Sequence, residues 1–260
     1  MENKELLIIM PACNEEKNLP GVLDQLERSG ALFLGDVLII NDASDDATPE
    51  IVNRRHYRMV TNVFRLGYGG ALQVGYKYAV REGYRYVIQM DGDGQHDPCN
   101  IPVIYQVLRQ ADALGGGGGG ADIVLATRYL KNSQSFPLSP AKRAAHRFFR
   151  FMIHTMTGHT ISDPTTGLQG LNRRAFSAYA KYDNFDTRYP DANMLMQMVM
   201  LNFQVAEVPA VMHPRTAGKS IHSGLKPIWY MLRMMFSILS IAFRIKLLKI
   251  GAEEGKTSQV

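Results

Sequence analysis

The sequence predicts an α/β fold with a mainly parallel sheet flanked by helices and with an apolar, basic helix near the C-terminus. Two observations predict the sheet. Short apolar runs alternate with segments of helical spacing through the first half of the chain, and three polar clusters each follow one of these runs. A length of 260 residues with 46% hydrophobic content is ample for a packed core.

Five apolar runs are predicted as strands, and the segments between them as helices. The predicted strands are 6–10, 37–41, 57–63, 84–90 and 122–127, and the predicted helices are 15–28, 46–55, 69–82 and 99–113. This alternation is typical of βαβ units, whose parallel strands are covered on both faces. The glycine run at 115–120 predicts a flexible surface loop before the fifth strand.

After residue 130 the organisation changes to longer helices. The predicted elements are a helix from Ser139 or Ser135 to about Met156, helices near 173–181 and 191–202, a strand at 204–212 and a helix at about 225–250. We divide the chain into a domain at 1–224, with halves 1–130 and 131–224, and a C-terminal helix and tail at 225–260.

Charge is distributed unevenly along a chain whose net charge is +5. Acidic residues collect in the first half, whereas none occurs at 123–162 or at 208–252. A basic second half indicates nucleic acid, a phosphorylated substrate or an anionic membrane as partner, with solvated helix faces as the alternative. Two cysteines, Cys13 and Cys99, do not make a disulfide framework and favour the reducing cytoplasm. The N-terminus has the pattern of neither a signal peptide nor a membrane span.

The three polar clusters are "PACNEE", "NDASDD" and "DGDGQHD". Because ligands bind beyond the carboxyl ends of parallel strands, we expect all three to lie along one rim of the sheet. Asp91, Asp93 and Gln95 offer the oxygen ligands that Mg²⁺ or Mn²⁺ prefers. An isolated Asp-x-Asp also marks an Asx-turn that leads into a helix, so this motif alone leaves both interpretations open.

The other two clusters favour a nucleotide over a dinucleotide cofactor. Asn14 and Glu15 follow the first strand, and Asn41 and Asp42 follow the second, where their side chains can accept hydrogen bonds from a ribose or a base edge. No G-x-G-x-x-G fingerprint follows the first strand. The site predicted at this rim is therefore a nucleotide site with a cation.

The chain resembles a known family in eight segments, which cover about residues 5–220. The segments are "IIMPACNEEKNL", "VLIINDASDDAT", "RLGYGGALQVGY", "VIQMDGDGQHDP", "ATRY", "SDPTTGLQG", "VAEVP" and "RTAGKS", in that order. Together they resemble the metal-dependent family-two glycosyltransferases with the GT-A type, Rossmann-like fold. Within that family they are most similar to dolichol- or polyprenyl-phosphate sugar synthases for mannose or glucose.

The resemblance implies roles for individual residues. Asp91, Asp93 and Gln95 would hold Mg²⁺ or Mn²⁺ on the diphosphate of a UDP- or GDP-sugar. The implied nucleotide-binding residues are Pro11, Ala12, Asn14, Glu15, Asn41, Asp42 and Asp91. The implied phosphate- and acceptor-binding residues are Arg128, Arg143, Arg215 and Lys219, and the implied catalytic residues are Asp93, Asp191 and Asp163. Arginine forks and a lysine point charge suit phosphate oxygens.

Three positions depart from the family's pattern. Asn41 stands where an aspartate is common, and Tyr68 stands where a basic residue is frequent. Asn193 stands where many relatives carry an acid, which leaves Asp191 as the nearest carboxylate. A sugar hydroxyl must lose its proton to attack, whereas a lipid phosphate is already ionised near neutral pH. The missing acid therefore mildly favours a phosphate acceptor.

The sequence thus predicts an inverting glycosyltransferase that uses a polyprenyl-phosphate acceptor and binds no nucleic acid. The C-terminal helix, rich in apolar residues with Lys226, Arg233 and Arg244 and with no acid, predicts a peripheral position at the inner face of the cell membrane. A core helix or a homo-oligomer interface is the alternative for this helix. The alternative functions are transfer to a saccharide in envelope or capsule synthesis, and a nucleotide-binding module with a decayed active site.

Overall fold

A computed structural model of the chain describes residues 5–113, 120–181, 185–214 and 226–247. Within them, seven strands form one sheet in the order β3-β2-β1-β4-β6-β5-β7. The strands are β1 (Leu6–Ala12), β2 (Gly35–Asn41), β3 (Arg58–Thr61), β4 (Tyr86–Gln89), β5 (Ile123–Thr127), β6 (Gln169–Asn172) and β7 (Val205–Pro209). Strand β6 is antiparallel to both of its neighbours, and every other pairing is parallel. The predicted mainly parallel sheet is confirmed.

Helices cover both faces of this sheet. They are α1 (Leu19–Arg28), α2 (Ala31–Leu34), α3 (Thr48–Arg54), α4 (Tyr68–Glu82), α5 (Asn100–Ala113), α6 (Pro140–Thr157), α7 (Arg173–Ala180), α8 (Ala192–Met200) and α9 (Lys226–Lys246). Side chains alternate across a strand, so Leu7 and Ile9 of β1 enter one core with α4 and α6 to α9. Leu6, Ile8 and Met10 enter the other core, which is shared with α1, α2, α3 and α5.

Strand β6 is the main element that the sequence did not predict. Its residues, "QGLN", contain a glycine and polar ends, and so lack the apolar run that marks a buried strand. All but Asn172 are nevertheless buried. A Cβ on Gly170 would lie 2.2 Å from Ile104 Cγ2 of α5, so the glycine permits a close helix–sheet approach. Strand β6 lies between β4 and β5, and residues from the second half therefore complete the sheet of the first.

Helix boundaries follow local chemistry. Helix α6 begins after Ser139, whose hydroxyl accepts a hydrogen bond from the Lys142 backbone N–H, and this decides between the two predicted starts. Helix α1 begins at Leu19 rather than at 15, because residues 15–18 form a turn. Most of the glycine run, residues 115–119, lies outside the described residues.

The C-terminal helix α9 packs against α8 and has two different faces. Met234, Ile238 and Ile241 are buried in the core. The opposite face carries an exposed row of large apolar side chains, called here the apolar stripe. It consists of Leu232, Phe236, Leu239, Phe243 and Leu247. No helix among the described residues is long and apolar enough to cross a bilayer.

Candidate active site

A cavity of about 1220 Å³ opens at the carboxyl ends of β1, β2 and β4. Ligand pockets for one small molecule measure roughly 300–1,000 Å³, so this cavity has room for a donor and for part of an acceptor. It brings together many of the predicted site residues from both halves of the chain. Those on its wall are Pro11, Ala12, Asn14, Glu15, Asp42, Asp91, Asp93, Gln95, Arg128 and Asp191. The predicted convergence of the three polar clusters is found in the structure.

Asp91 is held on three sides. The Tyr68 hydroxyl donates a hydrogen bond of 2.8 Å to Asp91 Oδ1, and His96 Nε2 lies 3.5 Å from Oδ2. A Cβ on Gly167 would lie 2.6 Å from Oδ2, so the carboxylate rests directly on that glycine. Burial, and then the Asp91 charge, raise the pKa of Tyr68, which keeps its hydroxyl a proton donor. The sequence departure at Tyr68 thus has a structural role, which is to orient the first carboxylate of the acidic motif.

Asp93 and Gln95 form a tight turn beside Asp91. Asp93 Oδ1 accepts a hydrogen bond of 3.0 Å from the Gln95 backbone N–H, and Gly94 between them has a φ of 80°. Only glycine adopts that backbone conformation without cost, so the turn depends on Gly94. The Gln95 carbonyl accepts from the His213 N–H at 2.8 Å, which anchors the turn to the segment after β7.

This loop fits a cation that shares its ligands with a substrate. No group of three or more His, Cys, Asp or Glu side chains in the described part of the chain is arranged to hold a metal ion alone. Asp91 and Asp93 both line the cavity, with the Gln95 amide beside them. Mg²⁺ and related hard ions are commonly bound by one or two carboxylates with substrate phosphates supplying further oxygens. The donor set is suited to that arrangement.

The segments after β1 and β2 interlock at the rim of the sheet. Asn14, with a φ of 59°, donates from its side chain to Asp45 Oδ1 and accepts from the Asp45 N–H at 3.0 Å. Glu15 Oε2 accepts a hydrogen bond of 2.6 Å from Asn18. Asn41 is buried and off the cavity wall, where its Oδ1 accepts from the Ser44 N–H. The structure thus gives Asn41 a supporting position behind the rim.

Asp42 has its carboxylate occupied by the chain itself. The Leu66 N–H and Gly67 N–H each donate to it at 2.8 Å, and Asn62 Nδ2 donates at 2.9 Å. Asp42 thereby orients the turn that leads into α4 and places Tyr68 against Asp91. Its edge still lines the cavity, but its main contacts are structural.

Another part of the cavity wall is basic. Arg128 Nε donates a hydrogen bond of 2.8 Å to Asp163 Oδ2, and His146 Nδ1 lies 3.4 Å from Asp163 Oδ1. Asp163 is fully buried behind the wall, whereas Arg128, Lys142 and His146 line it. Burial is the main cause that lowers the pKa of His146. Arg128 and Lys142 therefore supply the positive charge on this side.

Of the predicted basic residues that the structure describes, Arg128 lines the cavity and Arg143 does not. Arg143 is exposed on α6 and does not line the wall, although its neighbour Lys142 does. Arg215 and Lys219 lie outside the described residues.

Asp191 is the carboxylate that the second half presents to the cavity. The Tyr230 hydroxyl of α9 donates a hydrogen bond of 2.6 Å to Asp191 Oδ2. Burial raises the pKa of Asp191 to about 6, and the nearby carboxylates of Asp91 and Asp186 act in the same direction against the Tyr230 hydrogen bond. Asn193 is buried behind it and donates to Asp186 Oδ2 and Ser237 Oγ. Although Asn193 stands where many relatives carry an acid, its side chain fills this position and is hydrogen-bonded there.

Comparison with known proteins agrees with this geometry. The family model for Glycosyl transferase family 2 matches residues 7–180, more than half of the chain. The chain belongs to this family.

Relatives in the family share most of the chain. An undecaprenyl-phosphate mannosyltransferase of Micrococcus luteus is 25% identical over 226 residues, which cover 84% of this chain and 88% of the relative. A dolichyl-phosphate hexose transferase of Haloferax volcanii is 25% identical over 207 residues, which cover 79% and 81%.

Solved structures show the same fold. Glucosyl-3-phosphoglycerate synthase from Mycobacterium tuberculosis, in complex with Mn²⁺, UDP and glucosyl-3-phosphoglycerate, superimposes with a TM-score of 0.62 and 15% identity. The match covers 92% of this chain and 80% of that chain. The GT-A type fold implied by the sequence is confirmed.

The cavity wall also contains residues that sequence reasoning did not assign to the site, among them Lys142, His146 and Tyr230. Lys142 and His146 come from α6, where a basic and aromatic helix gave no signal that distinguished one charge from another. Tyr230 comes from α9, 39 residues after its partner Asp191. A contact at that separation has no sequence pattern, so only the packed structure reveals it.

Proposed function

We propose that the protein transfers a sugar from a UDP- or GDP-sugar to a polyprenyl-phosphate acceptor, with inversion at the anomeric carbon. The observation that carries the proposal is one cavity whose wall contains both the acidic loop and the basic residues Arg128 and Lys142. The acidic loop suits a cation on a diphosphate, and the basic residues suit an anionic acceptor. The relatives named for undecaprenyl and dolichyl phosphate support the same acceptor class.

On the donor side, the nucleoside would lie along the segments after β1 and β2. Asp91, Asp93 and Gln95 would hold Mg²⁺ or Mn²⁺, which when bound supplies positive charge to the leaving diphosphate. Tyr68 and His96 fix Asp91 beforehand, so little reorganisation is needed when the donor binds. The solved structure with Mn²⁺ and UDP supports this assignment by fold.

On the acceptor side, Arg128 and Lys142 would attract the lipid phosphate. Asp163 holds the Arg128 guanidinium through Nε, so the rest of the fork is aimed at the cavity from a fixed position. Arg215 and Lys219 remain candidates for further phosphate contacts. Asp191 would receive a proton from an acceptor that carries one.

The acceptor's long apolar chain requires a membrane, and we propose that α9 lies on its inner face. The apolar stripe offers that surface, since four large apolar side chains are exposed along one side of α9 and Leu247 continues the row directly after it. The charged residues of α9 contribute less than the sequence indicated. Arg233 faces Asp186 at 3.7 Å, and Arg244 donates to Gln197 at 2.9 Å, so both turn towards the protein.

The test is a transfer assay with Mn²⁺, labelled UDP- and GDP-sugars, and either undecaprenyl phosphate or an oligosaccharide as acceptor. We expect label in the lipid fraction with one of the donors. Label only in the oligosaccharide would replace the lipid acceptor by a saccharide. Retention of nucleotide binding without transfer to either acceptor would contradict the enzymatic function.

A further inference from the structure

We propose that Tyr230 is a positioning residue for Asp191, which makes the C-terminal helix α9 part of the acceptor half of the active site. The inference rests on the proposed function, because it gives Asp191 the task of accepting the acceptor's proton. It goes beyond that function, because it assigns a role in the reaction to a helix that the sequence predicted as a membrane-surface helix, with a core or interface helix as the alternative.

The Tyr230 hydroxyl is fixed by its surroundings. It lies 2.6 Å from Asp191 Oδ2, and both groups line the cavity. The Tyr230 ring makes edge-to-face contacts with Phe149 of α6, at 6.3 Å between centroids, and with Tyr189, at 5.5 Å. The ring is thus held between two aromatic side chains, with its hydroxyl in hydrogen-bond reach of Asp191.

Two further residues of α9 hold the segment that carries Asp191. Ser237 Oγ accepts a hydrogen bond of 2.9 Å from Asn193 Nδ2, and Arg233 lies 3.7 Å from Asp186 Oδ1. The Arg233 guanidinium also sits 5.3 Å from the centre of the Tyr189 ring. Residues 230, 233 and 237 share one face of a helix, so α9 contacts residues 186–193 as a single rigid unit.

The local charges explain why Asp191 needs this partner. Its neighbours include the carboxylates of Asp91, Asp163 and Asp186, which together with burial oppose ionisation, and Tyr68 faces it from α4. A hydrogen bond from Tyr230 favours the ionised form. Burial raises the pKa of Tyr230 itself, so its hydroxyl stays protonated as a donor. Tyr230 therefore keeps Asp191 both ionised and aimed into the cavity.

The chemical step balances as follows for a phosphate acceptor. A phosphate monoester loses its second proton near pH 6, so part of the acceptor carries a proton close to neutrality. That proton passes to an Asp191 carboxylate oxygen as the phosphate oxygen bonds to the anomeric carbon. The bond from that carbon to the donor diphosphate breaks, and the nucleoside diphosphate leaves with the electron pair.

The decisive experiment compares Tyr230→Phe with the parent and with Tyr78→Phe in the full chain. Tyr78 is a half-buried tyrosine of α4 away from the cavity wall, so its variant controls for loss of a hydroxyl. For Tyr230→Phe we expect the acidic limb of kcat to move up by about one pH unit, so that kcat falls about threefold at pH 6.5 and approaches a tenfold fall below about pH 6. The Mn²⁺-dependent affinity for the nucleoside diphosphate and the acceptor KM should stay within about twofold.

Two results would overturn the role of Tyr230. One is an unchanged acidic limb of kcat in Tyr230→Phe. The other is a fall in kcat that is equal at every pH and is accompanied by weaker nucleoside diphosphate binding, since that pattern indicates general distortion of the site.

A second measurement tests the contact without any acceptor and so separates this inference from the proposed function. The folded-state pKa of Asp191 is raised to about 6, so protonation favours the folded state and stability falls as pH rises towards 6. In Tyr230→Phe this fall in stability should extend to higher pH. The difference in stability between Tyr230→Phe and the parent should vanish when both also carry Asp191→Asn. If the parent shows this pH dependence of stability but has no transferase activity, the proposed function is contradicted and the Tyr230 contact is not. Identical pH profiles of the melting temperature in the parent, Tyr230→Phe, Asp191→Asn and the double variant would contradict the Tyr230 contact.

Discussion

At the scale of single residues, the acidic loop is the part of the site that sequence reasoning located best. Asp91, Asp93 and Gln95 follow a buried strand, and the rule that ligands bind at the carboxyl ends of parallel strands places them correctly. The supporting contacts were less predictable. Gly94, rather than Gly92, is the glycine with a positive φ, and the carboxylate of Asp42 binds the turn before α4. Such contacts depend on loop geometry that the residue types alone do not determine.

Replacing Asp93 by asparagine should separate the cation role of this residue from its turn role. The asparagine carbonyl can still accept from the Gln95 N–H, so the turn is kept, whereas the negative charge is lost. We expect kcat/KM to fall about 10²–10³-fold with an unchanged melting temperature. Asp24→Asn, on the surface of α1, is the matched control. Activity of Asp93→Asn close to that of the parent would contradict the proposed cation site.

Gly167→Ala should displace the Asp91 carboxylate without changing any residue of the acidic loop. The added Cβ would lie 2.6 Å from Asp91 Oδ2 and 3.3 Å from His96 Nε2, so the carboxylate must move. We expect the Mn²⁺-dependent affinity for nucleoside diphosphate to weaken by about tenfold, with roughly 1–3 kcal/mol lost from the free energy of unfolding. Gly21→Ala, where nothing lies within 4 Å, is the control and should retain affinity. Unchanged binding in Gly167→Ala would show that Asp91 does not need this contact.

At the scale of elements, the strongly periodic helices and the apolar strands were predictable, and β6 was not. The sequence marks a buried strand by its apolar run, whereas β6 is buried because Gly170 allows α5 to approach. Helix α9 was predicted as a helix, but its orientation was not. Its basic residues were expected to face an anionic surface, and the structure turns Arg233 and Arg244 inward instead. Helical spacing gives the faces of a helix without saying which face meets the protein.

The orientation of α9 makes a definite prediction about how the protein binds membranes. Phe236 and Phe243 are 64% and 55% exposed, so replacing both by serine should leave the core intact. Because burial of one phenylalanine contributes about 1.5–3 kcal/mol, we expect binding to vesicles with anionic lipid to weaken at least tenfold in co-sedimentation. Raising the salt concentration should change this binding little, since apolar contacts are not screened.

The control for the apolar stripe is Phe33→Ser. Phe33 is 89% exposed, and its helix α2 packs on the other face of the sheet. Its vesicle binding should equal that of the parent. Equal binding of the Phe236/Phe243 double variant would exclude the stripe as the membrane surface. A self-association constant that falls in the double variant, with no effect on vesicles, would assign the stripe to a homo-oligomer interface instead.

At the scale of the whole molecule, the two halves of the chain share one sheet and one cavity. Strand β6 of the second half pairs with β4 and β5 of the first. The Gly70 N–H of α4 donates to the Thr187 carbonyl, and Gln73 donates to the carbonyls of Tyr179 and Lys181. The sequence predicted a donor half and an acceptor half, and many contacts join them. These contacts indicate that the halves unfold together.

We therefore expect a nucleoside diphosphate with Mn²⁺ to stabilise the whole chain, although it would contact mainly the first half. At a ligand concentration of 100 Kd the stabilisation is about 2.7 kcal/mol, which corresponds to a shift of about 5–10 °C for a chain of this size. Differential scanning calorimetry should show one transition that moves as a unit, and EDTA should abolish the shift. Two transitions, of which only one responds to the ligand, would mean that the donor half folds independently. That result would be incompatible with the position of β6 between β4 and β5. It would also mean that the part of the chain with Asp191 unfolds independently of the acidic loop.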